Sequence, residues 1–348
     1  MAKLPDPMHQ TVIAIFAAYE RDADRGHRPH LGASVIGHEC VRYLWLSFRW
    51  TGVEKMSGRV LRLLETGQQQ EARLVADLRR IGITVSDRME DGGQWRVAAH
   101  GGHFAGSMDA AGVGFPEAPR TWHVIEFKTS NAKAFKELQK DGVRKVKPMH
   151  FAQMQVYMHL TGMERAAYLV VNKDTDDLYF ERIEHDESEA QRLLKRAESV
   201  IFAAEPPSKI SEDPAWWACK FCPFHAICHG TAAPAVSCRT CAHATPMPDG
   251  GWRCERHGRD LTLDDQRVAC ADHRFILSLL ARFAEVIDSD GDSVRYRNTL
   301  TGREFTNGPA PGYLSTEIHA ADDKRALGDP VTDALRLEFE GRIVERMK

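Results

Sequence analysis

The sequence has no apolar run approaching the roughly 18 residues that a membrane-spanning helix requires, so a helical membrane protein is not expected. Residues 1–7 lack the charged-then-apolar pattern of a secretory signal, which leaves a cytoplasmic protein as the expectation. There is no internal repeat and no low-complexity segment. Nor is there an excess of one charge: 46 Lys and Arg against 49 Asp and Glu give a net charge of -3. That balance neither indicates nor excludes nucleic acid, because the clustering of basic residues decides it. What is present is an ordinary globular composition, 43% apolar and 27% charged. At 348 residues the chain can form one large domain with a smaller one, or two of medium size.

The eight cysteines divide into two sets of four. Cys40 stands alone near the N-terminus, and Cys219-x2-Cys222-x5-Cys228 follows much later. The second set is Cys238-x2-Cys241, then Cys254 and Cys270. In a reducing compartment such close spacing points to metal sites rather than disulfides. All-thiolate ligation suits an iron–sulfur cluster and structural zinc alike. The second set, with its short intervals rich in turn residues (Pro246, Pro248, Gly250, Gly251), resembles a zinc ribbon. Such a module is stabilised by its metal because its core is too small. His243, His257 and His273 are alternative ligands there. A DNA or protein contact surface and a folded knob are both open as its role.

Periodicity predicts helices over 11–20, 61–80, 149–161 and 187–204, the last stopped by Pro206-Pro207. Strands are predicted over 83–86, 94–98, 103–110, 122–128, 167–172 and 178–183. The aromatic-rich run 41–50 is expected to enter the core. This order implies an α/β fold with a central mixed sheet flanked by helices, plus a small Cys-rich metal-binding module. The expected divisions are a domain over 1–230, the module over 231–275 and a tail over 276–348. The tail should hold a short helix over 276–287, an acidic turn and a hairpin around 294–305. Within 61–80, Glu71 shares the apolar face with Leu74, Val75 and Leu78, where an unpaired carboxylate is costly.

In Val124-Ile-Glu-Phe-Lys128, strand geometry puts Glu126 and Lys128 on one face and turns Ile125 and Phe127 into a core. Asp109 closes the run His103-Phe-Ala-Gly-Ser-Met-Asp109, so two acids and a lysine can converge beside adjacent strands. That trio suits phosphodiester hydrolysis. Carboxylates hold Mg²⁺ or Mn²⁺, the ion acidifies a bound water, and a lysine orients that water or stabilises developing charge. His103 and His123 lie close by in sequence and are read as structural. The interval after the lysine is basic, with Lys133, Lys136, Lys140, Arg144, Lys145 and Lys147. It can neutralise DNA phosphates or simply be a solvated helix face, and Glu137 and Asp141 dilute it.

Asp109, Glu126-x-Lys128 and Gln153-Met-Gln-Val-Tyr157 resemble the PD-(D/E)XK nucleases, over about residues 30–230. The branch they are most similar to is the RecB-like exonucleases, which include CRISPR-associated and phage recombination nucleases. The resemblance implies a restriction-endonuclease-like core. It also implies a metal site built from Glu71 (in Gly67-Gln-Gln-Gln-Glu71), Asp109, Glu126 and the Phe127 backbone carbonyl. Lys128, Gln153 and Tyr157 are the implied further catalytic residues. Ser107-Met108 replaces the family's proline before Asp109, a variable position. Cys40 with Cys219, Cys222 and Cys228 resembles the signature of AddB-type and CRISPR-associated members, which implies a 4Fe–4S cluster in place of zinc and a structural role for it.

The expected function is therefore Mg²⁺- or Mn²⁺-dependent DNA hydrolysis. An exonuclease acting on DNA ends in recombination or repair, in a bacterial or phage-infected cell, leads. A DNA endonuclease and a non-catalytic DNA-binding iron–sulfur scaffold are the alternatives. DNA is the expected partner, with a single-strand annealing protein or helicase beside it, and no membrane.

Overall fold

The computed structural model describes residues 9–23, 26–52 and 56–345. Residues 1–7, on which the targeting expectation rests, lie outside them. The elements in order are α1 Gln10–Asp22, β1 Leu31–Gly32, α2 Val41–Phe48, α3 Gly58–Arg80, β2 Thr84–Ser86, β3 Trp95–Ala99, β4 Phe104–Met108, β5 Ala110–Val113 and β6 His123–Ser130. Then come α4 Ala132–Val146, α5 Pro148–Thr161, β7 Arg165–Asn172, β8 Leu178–Glu184 and α6 Glu187–Ile201.

The central sheet has the order β2-β5-β6-β7-β8. β6 and β7 run parallel from His123↔Arg165 to Ser130↔Asn172, while β5–β6 and β7–β8 are antiparallel. A parallel pair needs a long crossover, and α4 with α5 supplies it. Both helices carry local start signals. The Asn131 side chain accepts from Ala134 N, and Pro148 opens α5, where its missing N–H costs nothing. Gly162, in the left-handed region, ends α5.

Alternation along β6 and β7 sorts side chains to two faces. Ile125, Phe127, Ala167 and Leu169 pack with Leu74, Val75 and Leu78 of α3. Val124, Tyr168 and Val170 pack with Phe135 and Leu138 of α4, Met154 and Tyr157 of α5, and Leu193 of α6. The mixed sheet flanked by helices is thus as the sequence implies.

The run 103–110, expected as one strand, is two. β4 belongs to a second sheet of order β1-β4-β3, and β5 to the central one. Asp109 is the single residue between them. A strand cannot pair in two sheets without a break, and the break falls at the acid.

The segment 276–287, expected as a helix, is a 3-10 turn Leu277–Leu280 followed by a strand Ala284–Ser289. That strand pairs with Val294–Asn298, which pairs with Glu304–Asn307. Phe275, Leu280, Phe283, Tyr296, Phe305 and Tyr313 form a core of their own beneath this sheet. Leu280 and Phe283 face that core because a turn, not a helix, aims them there.

Residues 244–260 form a three-stranded antiparallel ribbon. Trp252 of this ribbon shares a core with Phe48 of α2. Arg239 is 2% exposed and donates to Phe48 O (3.1 Å), Pro29 O (2.8 Å) and Gln266 Oε1 (2.9 Å). Its guanidinium lies 3.8 Å from the Trp50 ring centroid and 4.7 Å from that of Trp252. A buried cation with its donors matched in this way locks the ribbon to the N-terminal segment.

Candidate active site

Asp109 leaves the sheet junction toward β6, where its Oδ2 accepts from Phe127 N at 2.8 Å. On β6, Glu126 is wholly buried and Lys128 half-buried, side by side as the two-residue spacing requires. The Lys128 ammonium donates to Glu126 Oε1, and to Phe127 O at 3.0 Å. It stands 4.0 Å from Asp109 Oδ2. Glu71, half-buried on α3, is close enough to interact electrostatically with Asp109 and Lys128.

The electrostatics follow from crowding. Burial lifts the Glu126 carboxyl to about 7; Lys128 opposes this and Asp109 adds to it. Burial also holds Asp109 above the usual carboxylate range, against Lys128 and the Phe127 N–H. Glu71 is raised by burial and by Asp109. Burial pulls Lys128 down, but Glu126 and Asp109 outweigh it and keep the ammonium above its ordinary range. Three carboxylates against one ammonium leave two negative charges uncompensated in the ionised group. Glu126 Oε2 has no hydrogen-bond partner among the described residues. A buried carboxylate oxygen without a donor is costly, and a hard dication beside it would remove both deficits. The residues present fit such an ion.

Gln153 and Tyr157 lie on the buried face of α5. Gln153 Nε2 donates to the Tyr157 hydroxyl (3.0 Å), which donates to Ser107 O (2.8 Å). The pair thus grips the end of β4 two residues before Asp109. Gly106 makes this contact possible: a Cβ there would lie 2.7 Å from the Tyr157 hydroxyl and 2.8 Å from Ala33 Cβ. Gln155 points elsewhere, donating to Glu184 O (2.9 Å) and accepting from Asp186 N (2.7 Å).

One nearby residue escaped the sequence reading. His150 sits one turn before Gln153, and its Nδ1 is 2.7 Å from the Tyr168 hydroxyl. Burial, then Lys128 and Lys147, lowers it to about 3, so the ring is neutral beside the lysine. The spacing 150, 153, 157 on one helix face was the signal that could have found it. His103 and His123, read as structural, each pair one ring nitrogen with a backbone carbonyl. His103 Nε2 pairs with Met247 O at 2.8 Å and its ring packs edge-on to Phe48. His123 Nδ1 pairs with Thr121 O at 2.8 Å.

The basic interval is mostly α4. Lys133, Lys136, Lys140, Arg144 and Lys145 are exposed and Lys147 is half-buried. Lys145 pairs with Asp141 (2.8 Å), and Arg144 lies over Phe151 with Asp186 at 3.8 Å. Among the described residues Lys133, Lys136 and Lys140 carry no ion pair. Lys128 and Lys133 lie on either side of the turn from β6 into α4.

None of the eight cysteines is joined in a disulfide. Cys40, Cys219, Cys222 and Cys228 line one cavity with His38, Arg42, Tyr43 and Lys209. Burial raises Cys222 to about 11, and Cys228, Cys40 and Cys219 each add to it. Cys238, Cys241, Cys254 and Cys270 line a second cavity with His243, His257, Asp272 and His273. Burial raises Cys238 to about 12, with the other three thiols of its set contributing. His257 Nε2 is 3.7 Å from Cys270 Sγ and 3.4 Å from Asp272 Oδ2. His273 instead turns its Nε2 to Ser237 O (3.0 Å) and Thr240 Oγ1 (3.2 Å).

A mixed sheet with an acid at the junction of two strands and a Glu-x-Lys on the next defines an α/β fold of nuclease type. The chain belongs to the PD-(D/E)XK nuclease superfamily, whose family model matches residues 17–229. Among solved structures it is similar to LHK-Exo, an alkaline exonuclease from Laribacter hongkongensis, in complex with dAMP. That pair is 20% identical over 54% of this chain and 90% of the other, with a TM-score of 0.37. A phage-related exonuclease from Haemophilus somnus 129PT is 16% identical over 39% of this chain and 66% of its own, with a TM-score of 0.28. No match is found among curated proteins.

Proposed function

We propose that this nuclease is a Mg²⁺- or Mn²⁺-dependent deoxyribonuclease that removes nucleotides from DNA ends in recombination or repair. The observation that carries the reading is the wholly buried Glu126, whose Oε2 has no donor among the described residues, beside Asp109 and Lys128. Glu71, Asp109, Glu126 and the Phe127 carbonyl would hold the ion. When bound, it supplies an acidified water and charge neutralisation at the scissile phosphate. Lys128 fixes the orientation of Glu126 and stabilises the negative charge that develops on phosphate oxygens. Gln153 and Tyr157 position the Ser107–Asp109 segment, so Asp109 approaches without rearrangement. Lys133, Lys136 and Lys140 neutralise backbone phosphates of the strand entering the site, without conferring sequence preference.

The four thiols of the first set hold a 4Fe–4S cluster, closing residues 1–230 into one nuclease domain by tying Cys40 to the 219–228 loop. Its role is structural, since hydrolysis transfers no electron. The second set holds Zn²⁺ in the 231–275 module, and 276–348 forms the C-terminal unit. The setting is the cytoplasm, with a single-strand annealing protein or helicase as the companion; no helix among the described residues is long and apolar enough to cross a membrane. The test is digestion of linear against closed circular DNA with Mg²⁺ or Mn²⁺. Loss of linear DNA alone is expected. Cleavage of closed circles would make the enzyme an endonuclease, and binding without hydrolysis under either metal would make it a scaffold. For the cluster, anaerobically purified protein should be brown; colourless protein with two zinc ions per chain would sink that assignment.

A further inference from the structure

The far end of α5 carries a second group of metal-ligating side chains. His159 lies in the last turn of α5, His185 follows β8, and Glu187 is the first residue of α6. The His159 Nδ1 is 3.5 Å from Glu187 Oε2, and the His185 Nδ1 is 3.9 Å from the same oxygen. One ligand atom from each residue lies within 4.8 Å of the other two. Ligands at about 2.0–2.1 Å around a tetrahedral ion are separated by about 3.3 Å, so side-chain rotation alone closes the group.

The surrounding structure fixes these side chains. Gln155 clamps both ends of the 184–186 corner to α5, and His185 N donates to Glu164 O at 3.1 Å. Gln191 donates to Glu187 Oε1, which leaves Oε2 for the two imidazoles. A carboxylate oriented by one oxygen and offering the other is how ligand sets are held ready. Both histidines are half-buried and Glu187 is exposed, so an ion can enter from solvent and keep a water.

We propose that His159, His185 and Glu187 form a binding site for one transition-metal dication of the Zn²⁺ or Co²⁺ class. Two nitrogens and one oxygen select such ions over Mg²⁺, which prefers an all-oxygen shell. This distinguishes the site from the carboxylate group around Glu126. The bound ion clamps the C-terminal end of α5 to the start of α6, and so braces the helix that carries Gln153 and Tyr157.

The test uses full-length protein whose cysteine sites are already filled, held in excess Mg²⁺ and titrated with Co²⁺. Wild type is expected to take up one additional Co²⁺ per chain, with the visible ligand-field bands of a four-coordinate ion and no thiolate charge-transfer absorption. Its melting temperature should rise with that uptake. His159→Ala and His185→Ala, checked for unchanged circular dichroism, should each lose that ion and the rise in melting temperature. No additional ion in wild type, equal uptake in both variants, or a thiolate band accompanying the uptake would each overturn the proposal. The first of these outcomes would mean that the histidines merely pair with Glu187 when protonated. None of these readouts depends on DNA hydrolysis, so the proposed nuclease activity stands or falls separately.

Discussion

Replacing Glu126 by Gln should stabilise the metal-free protein at neutral pH while abolishing its activity. The carboxyl moves from its ordinary 4.5 to about 7 on folding, chiefly by burial. An acid whose folded value is raised contributes stability that is fully present below its unfolded value. That stability is lost as pH rises through the folded one, because the folded state holds the proton longer. The interval from 4.5 to 7 corresponds to at most about 3 kcal/mol, of which about 2 kcal/mol falls between pH 5.5 and 8. Gln keeps the shape, and its amide oxygen can still accept from Lys128, but it cannot ionise, so this slope should vanish. The assay is urea unfolding of both proteins at pH 5.5 and 8, in buffer stripped of free divalent ions. Asp109 and Glu71 are also raised and give both proteins a residual slope in the same direction, so the difference between the two is the quantity to read. Wild type should lose about 2 kcal/mol more than Glu126→Gln across that range. Added Mg²⁺ should restore wild type at pH 8 and leave the variant unchanged. Identical slopes in the two proteins would refute the claim that Glu126 is held at the edge of ionisation for want of a cation.

Gly106→Ala should cost about 1–3 kcal/mol and lower the hydrolysis rate, since its Cβ would displace the Tyr157 hydroxyl; unchanged urea midpoint and rate would contradict the packing. Tyr157→Phe removes the bond to Ser107 O and should cost about 1 kcal/mol, reducing kcat with DNA affinity intact. A change in DNA affinity alone would instead put Tyr157 in contact with substrate. Arg239→Ala leaves Phe48 O and Pro29 O without donors and opens a cavity between Trp50 and Trp252. It should lower stability by at least about 3 kcal/mol, seen as a shifted urea midpoint, whereas a surface-like loss would mean the ribbon is only loosely attached.

The site was legible where one side chain contradicted its surroundings. Glu126 and Lys128 stand out because their neighbours Ile125 and Phe127 are buried, and Glu71 because it shares a face with Leu74 and Val75. The spacing of Gln153 and Tyr157 fixed their common face without any tertiary information. The break at Asp109 was not legible: Ala110-Ala-Gly-Val113 is buried nearly throughout and has no alternation to announce a new strand. The 276–287 segment misled because Leu277, Leu280 and Ala284 have helical spacing. Strand pairing with Val294–Asn298 overrides that preference. The docking of the ribbon was equally hidden. Phe48, Trp50, Arg239 and Trp252 are scattered along the chain and meet only in three dimensions. Spacing alone left Cys40 by itself, and the structure brings it to one cavity with Cys219, Cys222 and Cys228, while Cys238, Cys241, Cys254 and Cys270 line another.

The central claim is that Asp109, Glu126 and Lys128 perform metal-dependent hydrolysis of DNA. Its most direct test is single-turnover degradation of end-labelled linear DNA at saturating Mn²⁺, comparing wild type with Lys128→Ala. The account predicts a rate lower by about 10²–10³-fold in the variant, with DNA binding retained. Equal rates in the two proteins would contradict it.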